Sequence, residues 1–288
     1  MKKLSVVLAT RNEERNIKDC IDSVKGIADE IIVVDEFSTD KTRDIARKLG
    51  AKVYKVKHEP IFHITKQKAL DKATGEWILQ LDADERVSTK LADEIKKVIN
   101  LSDIERKNYK IIDKKKRRLF KKHQRLIETR DAKYENNRYE IVAFYLPRIN
   151  YFLGKPLKHA GVYPDGVIRL IKNGKARFPQ KSVHEQIVLD GKVAWLNNDL
   201  EHHDSPTLRK YVMRMNRYTD LHANELKEKG VKKNFVSLLI YTTYKPLFAF
   251  VKLYFRHKGF LDGMRGFMWS ILSAMHFPLA YYKYYSND

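Results

Sequence analysis

Along the first hundred residues the apolar positions fall in short blocks whose period alternates. Leu4 to Ala9 is an apolar run of strand length. Ile17, Cys20, Ile21, Val24 and Ile27 then recur at helical spacing. Glu30 to Asp35 reads as a buried strand ending in a carboxylate. Ser38 or Thr39 is placed to cap the next helix, which turns Ile45, Ala46 and Leu49 inward and stops at Gly50. Ala51 to Val56 predicts a third strand, Ile64 to Ala73 a helix ending near Gly75, and Trp77 to Leu81 a fourth strand. After Ser88 a further helix sets Leu91, Ile95, Val98 and Ile99 on one face. Alternation at this pitch predicts an α/β fold, a mostly parallel sheet with helices on both faces.

Ligands in such sheets sit at the carboxyl ends of the strands. At those ends stand Thr10, Arg11, Asn12 and Glu13, then Asp35, then Asp82, Asp84 and Glu85. In an extended chain Asp82 and Asp84 share a side, and carboxylates held that close repel unless a cation sits beside them. Oxygen donors of this kind suit Mg2+ or Mn2+, which bind phosphate oxygens together with one or two carboxylates. An ordinary acidic strand-to-helix turn has the same composition.

The chain has 288 residues and a formal net charge of +21, which implies an anionic partner: nucleic acid, anionic lipid or a phosphorylated substrate. Cys20 is the single cysteine, so an internal disulfide framework is excluded. The N-terminal apolar run breaks at Arg11 to Arg15, which reads as a strand and not a signal peptide. Much of the charge lies in Ser102 to Tyr139, which holds 14 Lys/Arg against 6 Asp/Glu and few apolar residues. It predicts a basic, helical or partly ordered insertion lying on an anionic surface, or a solvated hairpin. Fifteen of the 32 aromatic residues fall between Val231 and Asp288, interleaved with Lys and Arg. The longest stretch there without Asp, Glu, Lys or Arg is Gly266 to Tyr282, 17 residues, short of the roughly 20 that a spanning helix needs. A helical region lying in a membrane interface is expected; an ordinary helical subdomain or a dimer contact is the alternative.

Three segments carry a family resemblance: Ser5 to Glu13, Ile32 to Thr42 and Ala73 to Glu85. In this order and spacing the chain resembles the inverting family-two glycosyltransferases of GT-A fold. Through Pro147 to Gly154, Tyr163-Pro164-Asp165, Arg169-Leu170 and Val183-His184-Glu185 it is similar to the branch containing lipopolysaccharide core β-1,4-glucosyltransferases. The resemblance covers nearly the whole chain apart from roughly residues 102 to 140. It implies that Thr10, Arg11, Asn12, Glu13 and Asp35 hold the uracil and ribose of a UDP-sugar. It also implies that Asp82 and Asp84 bind the donor diphosphate through the metal, and that His202 approaches the metal or the diphosphate from the C-terminal side. Glu36-Phe37 departs from the family, where small residues such as Ser-Gly are usual.

The implied organisation is a nucleotide-sugar-binding half (1–101), the basic insertion (102–140), an acceptor-side half (141–205) and a helical membrane-interface region (206–288). Inverting transfer needs a general base for the acceptor hydroxyl. Glu185 is the first candidate and Asp165 the second, against a turn cap at Asp165 and an ion pair at Glu185. Arg169 is a phosphate contact or a surface salt bridge. Lys66 and Lys68 share a helix whose solvated face accounts for them; Lys68 is retained as a donor-binding candidate. The expected partners are a nucleotide-sugar donor, a glycan or glycolipid acceptor and an anionic membrane surface, with homo-oligomers allowed. The expected location is the cytoplasmic face of that membrane. A sugar-phosphate nucleotidyltransferase is disfavoured because Ala9 to Arg15 lacks a glycine-rich phosphate loop. A nucleic-acid-binding protein leaves the carboxylates at the sheet edge unexplained.

Overall fold

The computed structural model describes residues 3–131, 140–179 and 187–286. Its first half follows the predicted alternation: β1 (Leu4–Thr10), α1 (Ile17–Val24), β2 (Glu30–Asp35), α2 (Thr42–Lys48), β3 (Lys52–Lys55), α3 (Phe62–Asp71) and β4 (Trp77–Leu81). A short β5 (Glu85–Val87) precedes α4 (Thr89–Asn100). Ser88 caps α4, its Oγ accepting from Leu91 N–H at 3.3 Å. Ser38 and Thr39 do not cap α2 as expected. Asp40 accepts from Thr42 N–H at 3.0 Å, while the Ser38 hydroxyl donates to Asp35 at 2.5 Å.

β1 runs parallel to β2 and β4, and β3 parallel to β2. All seven residues of β1 and all five of β4 are buried, as central parallel strands covered on both faces must be. At the N-terminal end of these strands Gly75 donates from its N–H to Ser5 Oγ at 2.8 Å. A Cβ there would stand 2.8 Å from Ser5 N and 3.1 Å from the Leu4 carbonyl carbon, so only glycine fits.

The described part of the insertion, 102–131, is largely helical and anchored. After α5 (Asp103–Lys107), α6 (Lys114–Asp131) turns Phe120 onto the ring of Trp195, centroids 5.8 Å apart. Lys116 is buried and reaches Asp199 at 2.8 Å. Lys114, Arg118, Lys121 and Arg125 form an exposed basic face on the same helix.

The rest of the sheet is antiparallel where it matters to the site. It comprises β6 (Ile141–Phe152), β7 (Lys155–Pro156), β8 (Asp165–Lys172), β11 (Lys192–Trp195) and β12 (Leu200–Ser205), while β9 (Ala176–Arg177) and β10 (Val188–Leu189) pair separately. The order is β3-β2-β1-β4-β8-β6-β12-β5. By compactness the chain forms two units, 1–148 with 164–202, and 149–163 with 203–288.

The second unit is mainly helical. α7 (Leu208–Glu228) and α10 (Gly263–Ser286) flank a helical run built from α8 (Phe235–Leu239), a π turn (Ile240–Tyr244), α9 (Lys245–Val251) and a second π turn (Lys252–Arg256). One apolar cluster joins Phe152, Leu157 and Tyr211 with Trp269, another Ala223, Leu226, Tyr241, Tyr281 and Tyr284. Among the described residues no helix is long and apolar enough to cross a membrane.

Candidate active site

Strand register assembles the site. Parallel pairing sets Thr10 opposite Asp35, and the Thr10 hydroxyl donates to its carboxylate at 2.9 Å. Asp35 is fully buried and also accepts from Ser38 N–H at 2.9 Å. Asn12 adopts a left-handed φ of 56°. Its N–H donates to Ser38 Oγ at 2.8 Å and its Oδ1 accepts from Thr39 N–H at 2.8 Å. Glu13 donates from its N–H to Thr42 Oγ1 at 2.7 Å. Thr10, Asn12, Glu13 and Asp35 thus lock the loops after β1 and β2 together. Arg11 projects to His58 at 2.9 Å. Glu36, the departure from the family pattern, is buried and accepts from Thr65 and from His58, the latter at 2.7 Å. Phe37 takes a left-handed φ of 49°, a conformation in which a small residue is less strained.

The acidic motif after β4 is not extended. Glu85 N–H donates to the Asp82 carbonyl at 2.9 Å, closing a turn, so strand alternation does not set the directions of Asp82 and Asp84. The turn is fixed a second time by Asp82 N–H donating to the Glu85 carboxylate at 3.0 Å. Glu85 is fully buried. Its other oxygen accepts from Arg169 at 2.8 Å and from Arg148 at 3.3 Å.

Asp82 is held by two cations of the chain itself, Lys66 at 2.6 Å and Arg169 at 2.5 Å. Burial opposes its ionisation, but Arg169 and Lys66 outweigh burial and keep its carboxyl far below the usual carboxylate range. Burial works against the Arg169 charge too, and Asp82 and Glu85 reverse it, so this guanidinium is raised. Arg169 is therefore no surface salt bridge; it is buried and also donates to Gln80 at 2.6 Å. Lys66 likewise leaves the solvated face expected of it and is 9% exposed. Lys68 points to Glu59 at 2.5 Å, away from this web.

Asp165 does not cap a turn. Antiparallel register sets it opposite Arg148, whose guanidinium donates to its carboxylate at 2.6 and 3.0 Å. Register also sets His202 opposite Glu85, and His202 Nε2 lies 3.6 Å from Asp84. Burial, and next the Arg148 charge, push the His202 imidazole down to about 3, so it is neutral at physiological pH and able to ligate a metal. Among the described residues no three His, Cys, Asp or Glu side chains are grouped as an ion cage. Two donors still fit Mg2+ or Mn2+, which complete their shells with water and substrate phosphates.

Beside Lys66 and Arg169 opens a cavity of about 250 Å³ whose walls include His63, His123, Tyr145 and Phe178. Glu185 lies outside the described residues; Phe178 and Ile187, on either side of it in sequence, both line this cavity. Sequence reasoning missed Lys66 and Arg148. Lys66 stands on α3 one turn after Phe62, and the mixed polar and apolar spacing of that helix gives a lysine no direction. Arg148 stood in a segment already picked out, but its partners are set by a register that sequence does not display.

Solved structures include glucosyl-3-phosphoglycerate synthase from Mycobacterium tuberculosis in complex with Mn2+, UDP-glucose and phosphoglyceric acid. It is 32% identical over 29% of this chain and 34% of that one, with a TM-score of 0.27. The chain is similar to an uncharacterized glycosyltransferase of Rickettsia typhi, 28% identical over 95% of this chain and 84% of the relative. It is also similar to the lipopolysaccharide core biosynthesis glycosyltransferase LpsC of Rhizobium meliloti, 26% identical over 94% of this chain and 90% of that one. The parallel β3-β2-β1-β4 half, its acidic turn and the antiparallel strands after it form a GT-A-type fold. Residues 5–154 match the model of glycosyl transferase family 2, and the chain belongs to that family.

Proposed function

We propose that this glycosyltransferase moves a sugar with inversion from a UDP-sugar to a hydroxyl of a glycan or glycolipid acceptor. The observation that carries the reading is the turn after β4, where Asp84 meets neutral His202 while Lys66 and Arg169 converge on Asp82. The locked loops of Thr10, Asn12, Glu13 and Asp35 supply a rigid edge for uridine, with Arg11 at its exposed rim. Asp84 and His202 would hold Mg2+ or Mn2+, while Asp82 stays paired with Lys66 and Arg169 beside them. When bound, such an ion neutralises charge on the departing diphosphate. Lys66 and Arg169 bring two further cations to the same place, already oriented by Asp82 and Glu85, so little reorganisation accompanies the reaction.

The cavity beside them combines aromatic walls with those cations, a combination suited to a saccharide carrying negative charge. Glu185 takes the acceptor proton as general base; its support is the family resemblance and the cavity-lining residues that flank it in sequence. Asp165 already accepts two hydrogen bonds from Arg148, so it serves better as the residue that orients Arg148 toward Glu85. The acceptor class rests on the similarity to LpsC. A panel of nucleotide sugars assayed for transfer and hydrolysis tests the reading, with UDP-sugars expected to be used best. Glu185→Gln is expected to keep donor affinity and lose transfer; normal transfer by this variant removes Glu185 as the base.

A further inference from the structure

The helical run from Phe235 to Arg256 carries an apolar stripe on its outside. Phe235, Leu239, Tyr244, Leu247, Val251 and Phe255 are exposed by between 45% and 71%. Their spacing is mostly four residues, which on a plain α-helix drifts by about 40° at each step. The two π turns, Ile240–Tyr244 and Lys252–Arg256, have a wider turn and counter that drift, so the stripe stays on one side. Inward positions of the same run are packed: Tyr241 stacks on Tyr281 at 5.2 Å, and Phe250 meets Phe267 edge-on at 5.9 Å. On α10 a second row, Met264, Phe267, Ile271 and Met275, is exposed by 37% to 71%. Soluble surfaces rarely leave rows of this size uncovered.

Charge selects the occupant. From Val231 to Leu261 there are six Lys/Arg and no Asp or Glu. Lys252, Arg256 and Lys258 are exposed beside the stripe. Two copies meeting through this face would bring like charges together, whereas anionic lipid headgroups complement them. Tyrosine rings with lysines alongside suit the headgroup layer, and no described helix is fitted to cross the bilayer. We infer that the outer face of residues 235–275 is a monotopic docking surface that lies in the interfacial layer of an anionic membrane, apolar rows inserted and cations at the headgroups. Taken with the glycolipid acceptor proposed for the active site, on which this one consequence rests, the surface holds the enzyme where its acceptor is found.

The test is co-sedimentation of the full chain with vesicles of phosphatidylcholine and phosphatidylglycerol in equal parts, without donor or acceptor, against vesicles of phosphatidylcholine alone. Strong binding to the anionic vesicles is expected. Leu247→Glu with Phe255→Glu is expected to weaken it roughly a hundredfold, and Lys252→Glu with Arg256→Glu by about fivefold or more per cation. A Tyr244→Cys variant carrying a polarity-sensitive dye is expected to shift its emission to the blue on adding vesicles, which reads insertion of the stripe without disturbing the charge. Unchanged vesicle binding by the Leu247/Phe255 variant with native circular dichroism overturns the inference. So does an unshifted dye, or a dimer in solution that this variant splits while vesicles fail to bind the wild type.

Discussion

Replacing Arg169 by Met removes the centre of the buried charge web while keeping an unbranched side chain of comparable reach. Arg169 donates to Asp82 at 2.5 Å, Glu85 at 2.8 Å and Gln80 at 2.6 Å. Asp82 retains Lys66 at 2.6 Å. Glu85, with a fully buried side chain, is left with Arg148 at 3.3 Å. Breaking a buried ion pair from one side costs roughly 3–5 kcal/mol when the remaining charge is poorly compensated, and the long Arg148 contact leaves Glu85 close to that case. At about 2–4 °C per kcal/mol for a unit of this size, the melting temperature is expected to fall by roughly 6–20 °C. Calorimetry and urea titration of the wild type, Arg169→Met, Glu85→Met and the double variant form a cycle. The double variant is expected to recover stability relative to the sum of the singles, with coupling of about 2 kcal/mol or more. Additive losses, or a single variant that loses less than about 1 kcal/mol, refute the claim that Arg169 and Glu85 act as a coupled buried pair.

His202 ties stability to pH with a known sign. Its folded value of about 3 lies below an unfolded value of about 6.5, so the unfolded chain takes the proton first. Stability is therefore unaffected above about pH 7 and falls as pH drops from about 6.5 toward 3, by about 2 kcal/mol at pH 5. Urea titrations of wild type and His202→Gln in chelator-treated buffer check this; parallel pH curves contradict it. Gly75→Ala forces a Cβ to within 2.8 Å of Ser5 N and is expected to cost roughly 1–3 kcal/mol in urea titration, with donor affinity preserved.

The β1–β4 half is legible because its information is local. β1, β2 and β4 each carry their own apolar run, Ser88 announces α4, and parallel order follows from the alternation. The polar residues at the strand ends, Thr10, Asn12, Glu13, Asp35 and Asp82, come to one edge for the same reason. What stayed hidden depends on antiparallel register between distant segments: Arg148 opposite Asp165, and His202 opposite Glu85. The extended reading of Asp82 to Glu85 failed because a buried Glu85 carboxylate closes the turn on the Asp82 N–H, a tertiary effect of Arg148 and Arg169. Lys66 escaped notice because a lysine on a mixed-polarity helix has no intrinsic direction until Asp82 supplies one. Ser38 was misread for a related reason. Its hydroxyl is drawn to Asp35, which is buried, ahead of a solvent-facing helix terminus.

The turn after β4 is proposed to receive a divalent ion together with the donor diphosphate. Titration calorimetry of UDP into the wild type and Asp84→Asn, each with Mn2+ and with chelator, tests it most directly. Mn2+ is expected to tighten UDP binding to the wild type by about tenfold or more, a coupling of about 1.4 kcal/mol, and Asp84→Asn to lose this gain. Equal UDP affinity with Mn2+ and with chelator, or an undiminished gain in the variant, contradicts it.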